Sequence, residues 1–498
     1  MDLFNNLIFG FGVALSLQNL LYCLVGVSVG TLIGVLPGIG PLGTIAILMP
    51  ITYGIAPVGA LIMLAGIYYG AQYGGSTTAI LVNLPGETSA VVTCIDGYQM
   101  ARQGRAGPAL AIAAIGSFFA GTVGTLLIAL FGPPLADIAL KFGSPEYFSL
   151  MLMGLVAAAV LAQGDMVKSL AMVVTGLLLG LVGSDVNTGV QRFSFGFPEL
   201  SDGIGFVVVA VGVFAIGEII TNLGDKEERR VFTATVTSLF PSKEDMKRSI
   251  GPILRGTGIG SFFGVLPGTG PAIASFASYM LEKKLAADPS RFGRGAIEGV
   301  AAPESANNAD AQCKFIPMLT LGLPASGVMA LMLGALTIQG IQPGPEVMTQ
   351  RPELFWGLIA SMWIGNLMLV VLNLPMIALW VKLLQVPYRL LFPAIMAFSA
   401  IGIYSVNNSS FEIYLTALFG IFGFICMKLG FPPAPLLLGY VLGPMMEENL
   451  RRSMLMSGGD ASVFVTRPIS LAFIIATVLI LVVMILPAVR QRRLEIAD

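Results

Sequence analysis

The sequence predicts an all-α, polytopic integral membrane protein with two inverted repeats, each containing a Pro/Gly-broken re-entrant hairpin. Three observations carry that prediction. Of 498 residues, 55% are hydrophobic and only 11% charged, against about 25% charged in an ordinary soluble domain. The chain holds 60 glycines and 30 prolines, which water-soluble helices avoid in their interiors. Membrane helices tolerate them where neighbours or water satisfy the freed backbone groups. Finally, one eight-residue motif occurs twice, with loop charges that place its copies in opposite orientations.

The apolar excess comes first, because it fixes the solvent. A soluble chain of this length needs a polar shell, and the charged residues are too few to build one. Membrane lipid must therefore cover most of the surface. Apolar runs near spanning length lie at 107–131, 145–163, 166–184, 203–222, 354–375, 391–405, 411–428 and 469–488. With shorter and interrupted runs included, about 10–12 membrane segments are expected at about 20 residues per span. Residues Met1 to Gly10 lack a basic n-region, so no cleavable signal is expected and the mature chain is expected to start near Met1.

Composition also excludes classes of function. The net charge is −1, and no stretch is basic enough for nucleic acid. There is no histidine, which removes imidazole metal sites and triads with a histidine base. Cys23, Cys94, Cys313 and Cys426 form no CxxC or zinc spacing and read as apolar fillers. No cofactor is expected.

The one polar linker runs from Asp225 to Arg248 and contains Lys226, Arg229, Arg230, Lys243, Lys247 and Arg248. It divides a first repeat with accessory helices (1–224) from a second (249–498), with 225–248 as a cytoplasmic connection. Gly34-Val35-Leu36-Pro37-Gly38-Ile39-Gly40-Pro41 recurs as Gly264-Val265-Leu266-Pro267-Gly268-Thr269-Gly270-Pro271. Glycines at four-residue spacing lead into both copies: Gly26, Gly30 and Gly34, then Gly256, Gly260 and Gly264. Such small-residue ladders let helix backbones approach closely. A weaker pair follows, Asn83-Leu84-Pro85-Gly86 and Gly322-Leu323-Pro324-Ala325.

Lysine and arginine set orientation. The loop 50–57 after the first motif has no basic residue and is placed outside. The loop after the second carries Lys283, Lys284, Arg291 and Arg294 and is placed inside. Downstream the bias reverses: Arg102 and Arg105 inside, Arg351 beside Glu346 and Glu353 outside. Arg490, Arg492 and Arg493 place the C-terminus inside, which leaves Arg451 and Arg452 outside, against the rule. Between Arg255 and Glu282 the chain leaves the cytoplasm and returns, with about a dozen residues in each arm, too few for a span of about 20. A re-entrant hairpin with its Pro-Gly tip near the midplane is the economical answer, and the first copy should mirror it.

Pro-Gly-x-Gly-Pro cannot continue a helix. It serves either as a plain interhelical turn or as a binding tip, where unpaired amides suit a carboxylate and unpaired carbonyls suit sodium. The candidate substrate- and ion-binding residues are Pro37, Gly38 and Gly40 of the first motif, with Pro267, Gly268 and Gly270 of the second. To these are added Ser76, Thr77, Thr78 and Asn83, and Glu304, Ser305, Asn307 and Asn308, polar clusters in apolar surroundings. Hydroxyl and carboxamide oxygens are ligands for a hard cation and partners for carboxylates, so Na⁺ is a candidate near both breaks. Acidic groups at membrane depth, Glu304 and Asp310, are costly and usually functional. Lys314 shares a helix face with Asp310. It is either a local partner that makes the pair tolerable or a cation for an anionic substrate. Gly38-Ile39-Gly40-Pro41-Leu42-Gly43 fits G-x-G-x-x-G, but Pro41 and the membrane helices around it exclude a dinucleotide site.

Several of these stretches, taken together, resemble the large membrane subunit of tripartite tricarboxylate transporters. They are Gly34 to Gly38, Tyr73-Gly74-Gly75-Ser76-Thr77-Thr78-Ala79-Ile80, Asn83 to Glu87, Gly295 to Asn308, and Thr320-Leu321-Gly322-Leu323-Pro324. The similarity runs from about Gly26 to beyond Pro444. It implies a multi-pass protein of a bacterial inner membrane, paired with a small four-helix membrane subunit and fed by a periplasmic solute-binding protein. It implies uptake of citrate or other small carboxylates, driven by an Na⁺ or H⁺ gradient rather than ATP. The absence of a G-x-x-x-x-G-K-[ST] loop agrees. Asp310 and Lys314, and Ala325-Ser326 after Pro324, depart from the family pattern and open the way to a different carboxylate. Two other classes remain: a stand-alone ion-coupled carrier or channel, and an intramembrane enzyme. The lack of histidine and of paired catalytic acids weighs against the enzyme.

Overall fold

The computed structural model describes residues 3–36, 40–161, 165–185, 188–223, 239–383 and 388–485. The sequence's expectations for Pro37, Gly38, most of the 225–248 linker and Arg490, Arg492 and Arg493 fall outside these residues. The first half contains α1 (Leu3–Ala14), α2 (Leu17–Val35), α3 (Pro41–Thr52), α4 (Pro57–Val82), α5 (Val91–Arg102), α6 (Ala106–Ala139), α7 (Ser144–Leu161) and α8 (Met166–Gly180). A two-residue ladder, β1 (Gly183–Ser184) with β2 (Gln191–Arg192), precedes α9 (Phe206–Ala210), a π-helical turn at Val211–Ile216, and α10 (Gly217–Leu223). The second half contains α11 (Lys243–Val265), α12 (Pro271–Leu285), α13 (Glu298–Cys313), α14 (Phe315–Leu321), α15 (Gly327–Ile338), α16 (Glu346–Gln350) and α17 (Pro352–Asn373). It ends with α18 (Ile377–Leu383), α19 (Tyr388–Asn407), α20 (Ser410–Lys428), α21 (Pro433–Met456), α22 (Val463–Thr466) and α23 (Pro468–Ile485).

Four of these, α2, α6, α17 and α20, are long and apolar enough to cross a membrane, and seven shorter apolar helices accompany them among the described residues. Proline opens α3, α4, α12, α17 and α21, where its missing N–H would go unpaired in any case. Asn83 at φ 58° ends α4 and Gly322 at φ 67° ends α14, so both Leu-Pro motifs begin at a left-handed cap.

The glycine ladders set the central packing. A side chain at Gly26, Gly30 or Gly34 would collide with the carbonyls of Met63, Ile67 and Ala71, so α2 lies directly on α4 and parallel to it. Gly256, Gly260 and Gly264 press in the same way on Ala302, Ala306 and Asp310, laying α11 along α13. The two pairs then cross antiparallel, with Tyr68 of α4 close to Asp310 and Ser76 bonded to Glu304. Gly260→Val is expected to lower stability by about 3 kcal/mol, the upper end for an overpacked core. Detergent melting curves check this, and a wild-type melting temperature would mean that the close approach is dispensable.

The arms of the two breaks are unequal. α3 and α12, at 12 and 15 residues, match the expected short arms, whereas α2 and α11 run for 19 and 23. α11 is long because it starts inside the polar linker, at a capping box between Ser242 and Asp245. Burial pushes the Asp245 carboxyl up, but the Ser242 hydroxyl and amide and the Arg105 guanidinium outweigh it and hold it below the usual range. α3 stands away from α2, leaving an apolar cavity of about 490 Å³ beside Ile33, Ile47, Leu48 and Ile401.

Arginine–carboxylate pairs fasten both ends of the molecule. At one end Arg105, Arg255 and Arg291 pair with Asp245, Glu282 and Glu298, and the Gln103 amide donates to the Arg294 carbonyl at 2.8 Å. At the other, Gln339 donates to the Thr52 carbonyl at 3.1 Å. Arg451 and Arg452, the residues that conflict with the orientation rule, are paired there with Asp185 and Glu447, and with Glu448.

Candidate functional site

The site forms where α4 crosses α13. α4 is buried along nearly its whole length from Gly59 to Leu81, and so is α13 from Gly299 to Cys313. Polar side chains on these helices therefore find their partners on each other and on the segments packed around them. Glu304 is 1% exposed. It accepts one hydrogen bond from the Ser76 hydroxyl of α4 and another from the Thr93 hydroxyl of α5. One turn further, Asn307 Nδ2 donates to Glu87 Oε1 at 3.1 Å. Glu87 also accepts from Ser89, whose hydroxyl lies 3.3 Å from Gln72 Oε1. Asn308 Nδ2 donates to Ser117 of α6 at 2.7 Å. The Tyr73 hydroxyl donates to Asn366 Oδ1 of α17 at 2.6 Å. Lys314 donates to Asp310, both fully buried.

Three carboxylates, Glu87, Glu304 and Asp310, thus lie along this crossing, and Asp310 is paired with the Lys314 ammonium. No group of three or more acidic or cysteine side chains is close enough to hold a metal among the described residues. The acids are spread along the crossing, each with hydroxyl, amide or ammonium partners. A cation held here would take one carboxylate together with neutral oxygens.

The sequence-derived candidates divide according to what the fold does with them. Ser76, Glu304, Asn307 and Asn308 meet at the crossing. Thr77 lines a cavity of about 10 Å³ with Tyr73, Ser76 and Ser117, room for about one water. Thr78 and Ser305 bond to carbonyls of their own helices, Gly75 and Ala301. Asn83 is an exposed helix cap. Gly40 caps α3, and its amide donates to Glu218 Oε1 at 3.1 Å. Pro267 is half-buried, and Gly268, at φ 81°, donates its amide to the Ala325 carbonyl at 3.0 Å and rests on Ala157 and Ala158. The second break is thereby tied to the second Leu-Pro motif. Gly270 caps α12 and is open around its Cα.

Glu87, Ser89, Thr93, Tyr73, Asn366 and Glu218 were not among the candidates. Glu218 had a visible signal: it is the one acid in the apolar run 203–222 apart from the flanking residues, and it follows a π-helical turn. Glu87 directly follows the first Leu-Pro-Gly. Thr93 and Asn366 had none, since an isolated polar residue on an apolar helix is usually a packing contact.

Known proteins are similar to this chain over long stretches. A protein of Agrobacterium vitis described as an uncharacterized 52.8 kDa protein in the TAR-I ttuC' 3' region is 60% identical over 493 residues, covering 99% of this chain and 98% of that one. A second from the same organism, an uncharacterized protein in the TAR-II ttuC' 3' region, is 58% identical over 234 residues, or 47% of this chain and 97% of its own. No solved structure matches. The tripartite tricarboxylate transporter TctA family matches residues 20–438, which include both breaks and the whole α4–α13 crossing, so this multi-pass membrane chain belongs to that family.

Proposed function

We propose that the chain is the large membrane subunit of a binding-protein-dependent secondary transporter that imports tricarboxylates or related small carboxylates, driven by an ion gradient. The observation that carries this most directly is the α4–α13 crossing. Two parallel helix pairs, each entering a Pro-Gly break, meet antiparallel and bury Glu304, Asn307 and Ser76, with half-buried Glu87 bonded to Asn307. Such buried polar groups in a membrane mark transport pathways. The antiparallel pairs and matched caps at Asn83 and Gly322 support inverted repeats. The amide end at Gly270 suits a substrate carboxylate, and the acid-rich crossing suits a coupling Na⁺ or H⁺. Membership of the family supports a bacterial inner-membrane location, a small four-helix membrane subunit and a periplasmic solute-binding protein as partners.

The test is purification in mild detergent from native membranes, mass spectrometry of what co-elutes, and uptake of labelled citrate, malate and other small carboxylates into vesicles under imposed Na⁺ or H⁺ gradients. A small hydrophobic protein is expected to co-elute, and uptake to require both it and the soluble binding protein. A chain that is active alone is instead a stand-alone organic anion carrier. Uptake indifferent to both gradients would remove secondary transport itself.

A further inference from the structure

The loop between α8 and α9 holds two bulky residues in a strained backbone. Phe193 and Phe195 have φ of 51° and 49°, a left-handed conformation in which a Cβ crowds its own main chain and which bulky residues rarely adopt. Neither ring is buried in return: Phe193 is 51% exposed, Phe195 81% and, two residues on, Phe197 52%. Strain of this kind persists only where the surrounding structure enforces it, and the base of the loop does so. β1 pairs with β2. The Ser184 amide donates to the Ser201 carbonyl at 2.8 Å, and Gln191 Nε2 donates to the Ser201 hydroxyl at 3.1 Å. Arg192, next to the first phenylalanine, pairs with Glu447 of α21 at 2.8 Å, and Arg451 of the same helix pairs with Asp185 at 2.8 Å. A fastened frame therefore holds the rings out.

Three constraints decide what the rings meet. Phe193-Ser194-Phe195-Gly196-Phe197-Pro198 carries no charge, and clustered exposed rings mark a contact surface rather than a face for water. The backbone around them is irregular, which lipid-exposed chain at hydrocarbon depth does not tolerate, so the loop cannot lie in the bilayer core. The boundary between headgroups and acyl chains meets both demands, because it hydrates the backbone and takes up aromatic rings. The third constraint is continuity. Phe197 packs on Phe411 with ring centroids 5.9 Å apart. Phe411 opens a stripe of α20 that continues at helical spacing through Tyr414, Leu418, Ile421 and Ile425, all four exposed. α20 is long and apolar enough to cross a membrane, so this stripe faces lipid, and the loop stands at its end.

We propose that the 193–197 loop is a lipid-binding element. Its phenyl rings seat among the headgroups and upper acyl carbons of the leaflet at the Arg451 end, and the Arg192–Glu447 and Arg451–Asp185 pairs tie that contact to α21. The inference needs only the membrane-spanning fold, so it stands or falls apart from carboxylate transport.

The experiment uses the full-length chain reconstituted in phosphatidylcholine vesicles, with bromine either absent or on acyl carbons near the headgroup. Phe195→Trp places an emitter at the tip of the loop, and the wild-type signal of Trp356, Trp363 and Trp380 is subtracted. The added emission is expected to be blue-shifted from that of tryptophan in water, to be largely lost in brominated vesicles, and to survive iodide on both sides of the membrane. Phe193→Trp repeats the measurement at the other strained position, so a folding defect at one position leaves the test standing. Emission quenched by iodide and untouched by bromine overturns the proposal and leaves the loop as a water-exposed face for a soluble protein. Emission that neither quencher reaches overturns it too, because another protein chain then covers the rings.

Discussion

Glu304→Gln is expected to give a chain that folds and no longer transports at a useful rate. Glu304 belongs to the second half, and both of its hydroxyl donors, Ser76 and Thr93, belong to the first. Glutamine has nearly the same shape. It keeps one oxygen to accept from one hydroxyl, and the other hydroxyl can rotate to accept from the new amide. The cost to folding is therefore about 1 kcal/mol, the value of one ordinary hydrogen bond. What disappears is the charge. If the crossing must exchange these hydroxyls for an ion or substrate during each cycle, a charge-assisted interaction worth about 1.5–3 kcal/mol is lost. That corresponds to uptake falling by roughly 10- to 150-fold at about 1.4 kcal/mol per decade. Vesicle uptake normalised to folded protein, measured with the partner subunits present, checks this. Wild-type uptake would reduce Glu304 to an interlock between the halves and move the search for the ion site to Glu87 and Asn307.

Local patterns made a good part of this arrangement legible. The glycine ladders could be read because glycine is the one residue that lets helix backbones touch, and Gly26, Gly30, Gly34, Gly256 and Gly260 all meet a facing carbonyl or main-chain atom. The polar clusters on α4 and α13 could be read because the bilayer makes such residues costly anywhere else. The pairing of those clusters could not. Ser76 and Thr78 look equivalent in a row of hydroxyls, yet two residues turn a helix by about 200°, so Ser76 reaches Glu304 while Thr78 bonds back to Gly75. Ser305, next to Glu304, turns away in the same manner. The Glu218 carboxylate at the Gly40 amide joins positions far apart in sequence, and only the packing of α10 beside α3 brings them together. α11 runs farther upstream than the arm that begins at Arg255, because a capping box at Ser242 starts the helix inside the polar linker.

Asp96 carries the opposite expectation to Glu304: Asp96→Ala should cost the fold far more than the chemistry. Asp96 is 0% exposed, on α5 of the first half. Its Oδ1 accepts from three backbone amides of the second half, those of Gly293, Gly295 and Ala296, at 2.9, 2.8 and 2.8 Å. Its Oδ2 accepts from the Tyr279 hydroxyl at 2.9 Å. Gly293 and Gly295 hold φ of 85° and 96°, a left-handed backbone that aims successive amides at one oxygen. No sequence pattern announces this contact, because a nest of amides has no side-chain signature. Alanine would leave three buried amides and a phenol without an acceptor, at about 1–3 kcal/mol for each orphaned group, partly relieved by relaxation. A loss of about 4–5 kcal/mol is expected, which belongs to the rare class of single substitutions that can unfold a domain. Asp96→Asn should cost less, since its oxygen can still take the amides and its nitrogen can donate to Tyr279. Fluorescence-detected size exclusion and melting curves would rank wild type above Asp96→Asn above Asp96→Ala. Uptake per folded molecule should stay near wild type in whatever fraction of Asp96→Asn folds. If that specific activity fell as steeply as for Glu304→Gln, the Asp96 nest would have to move during transport rather than bolt the two halves together.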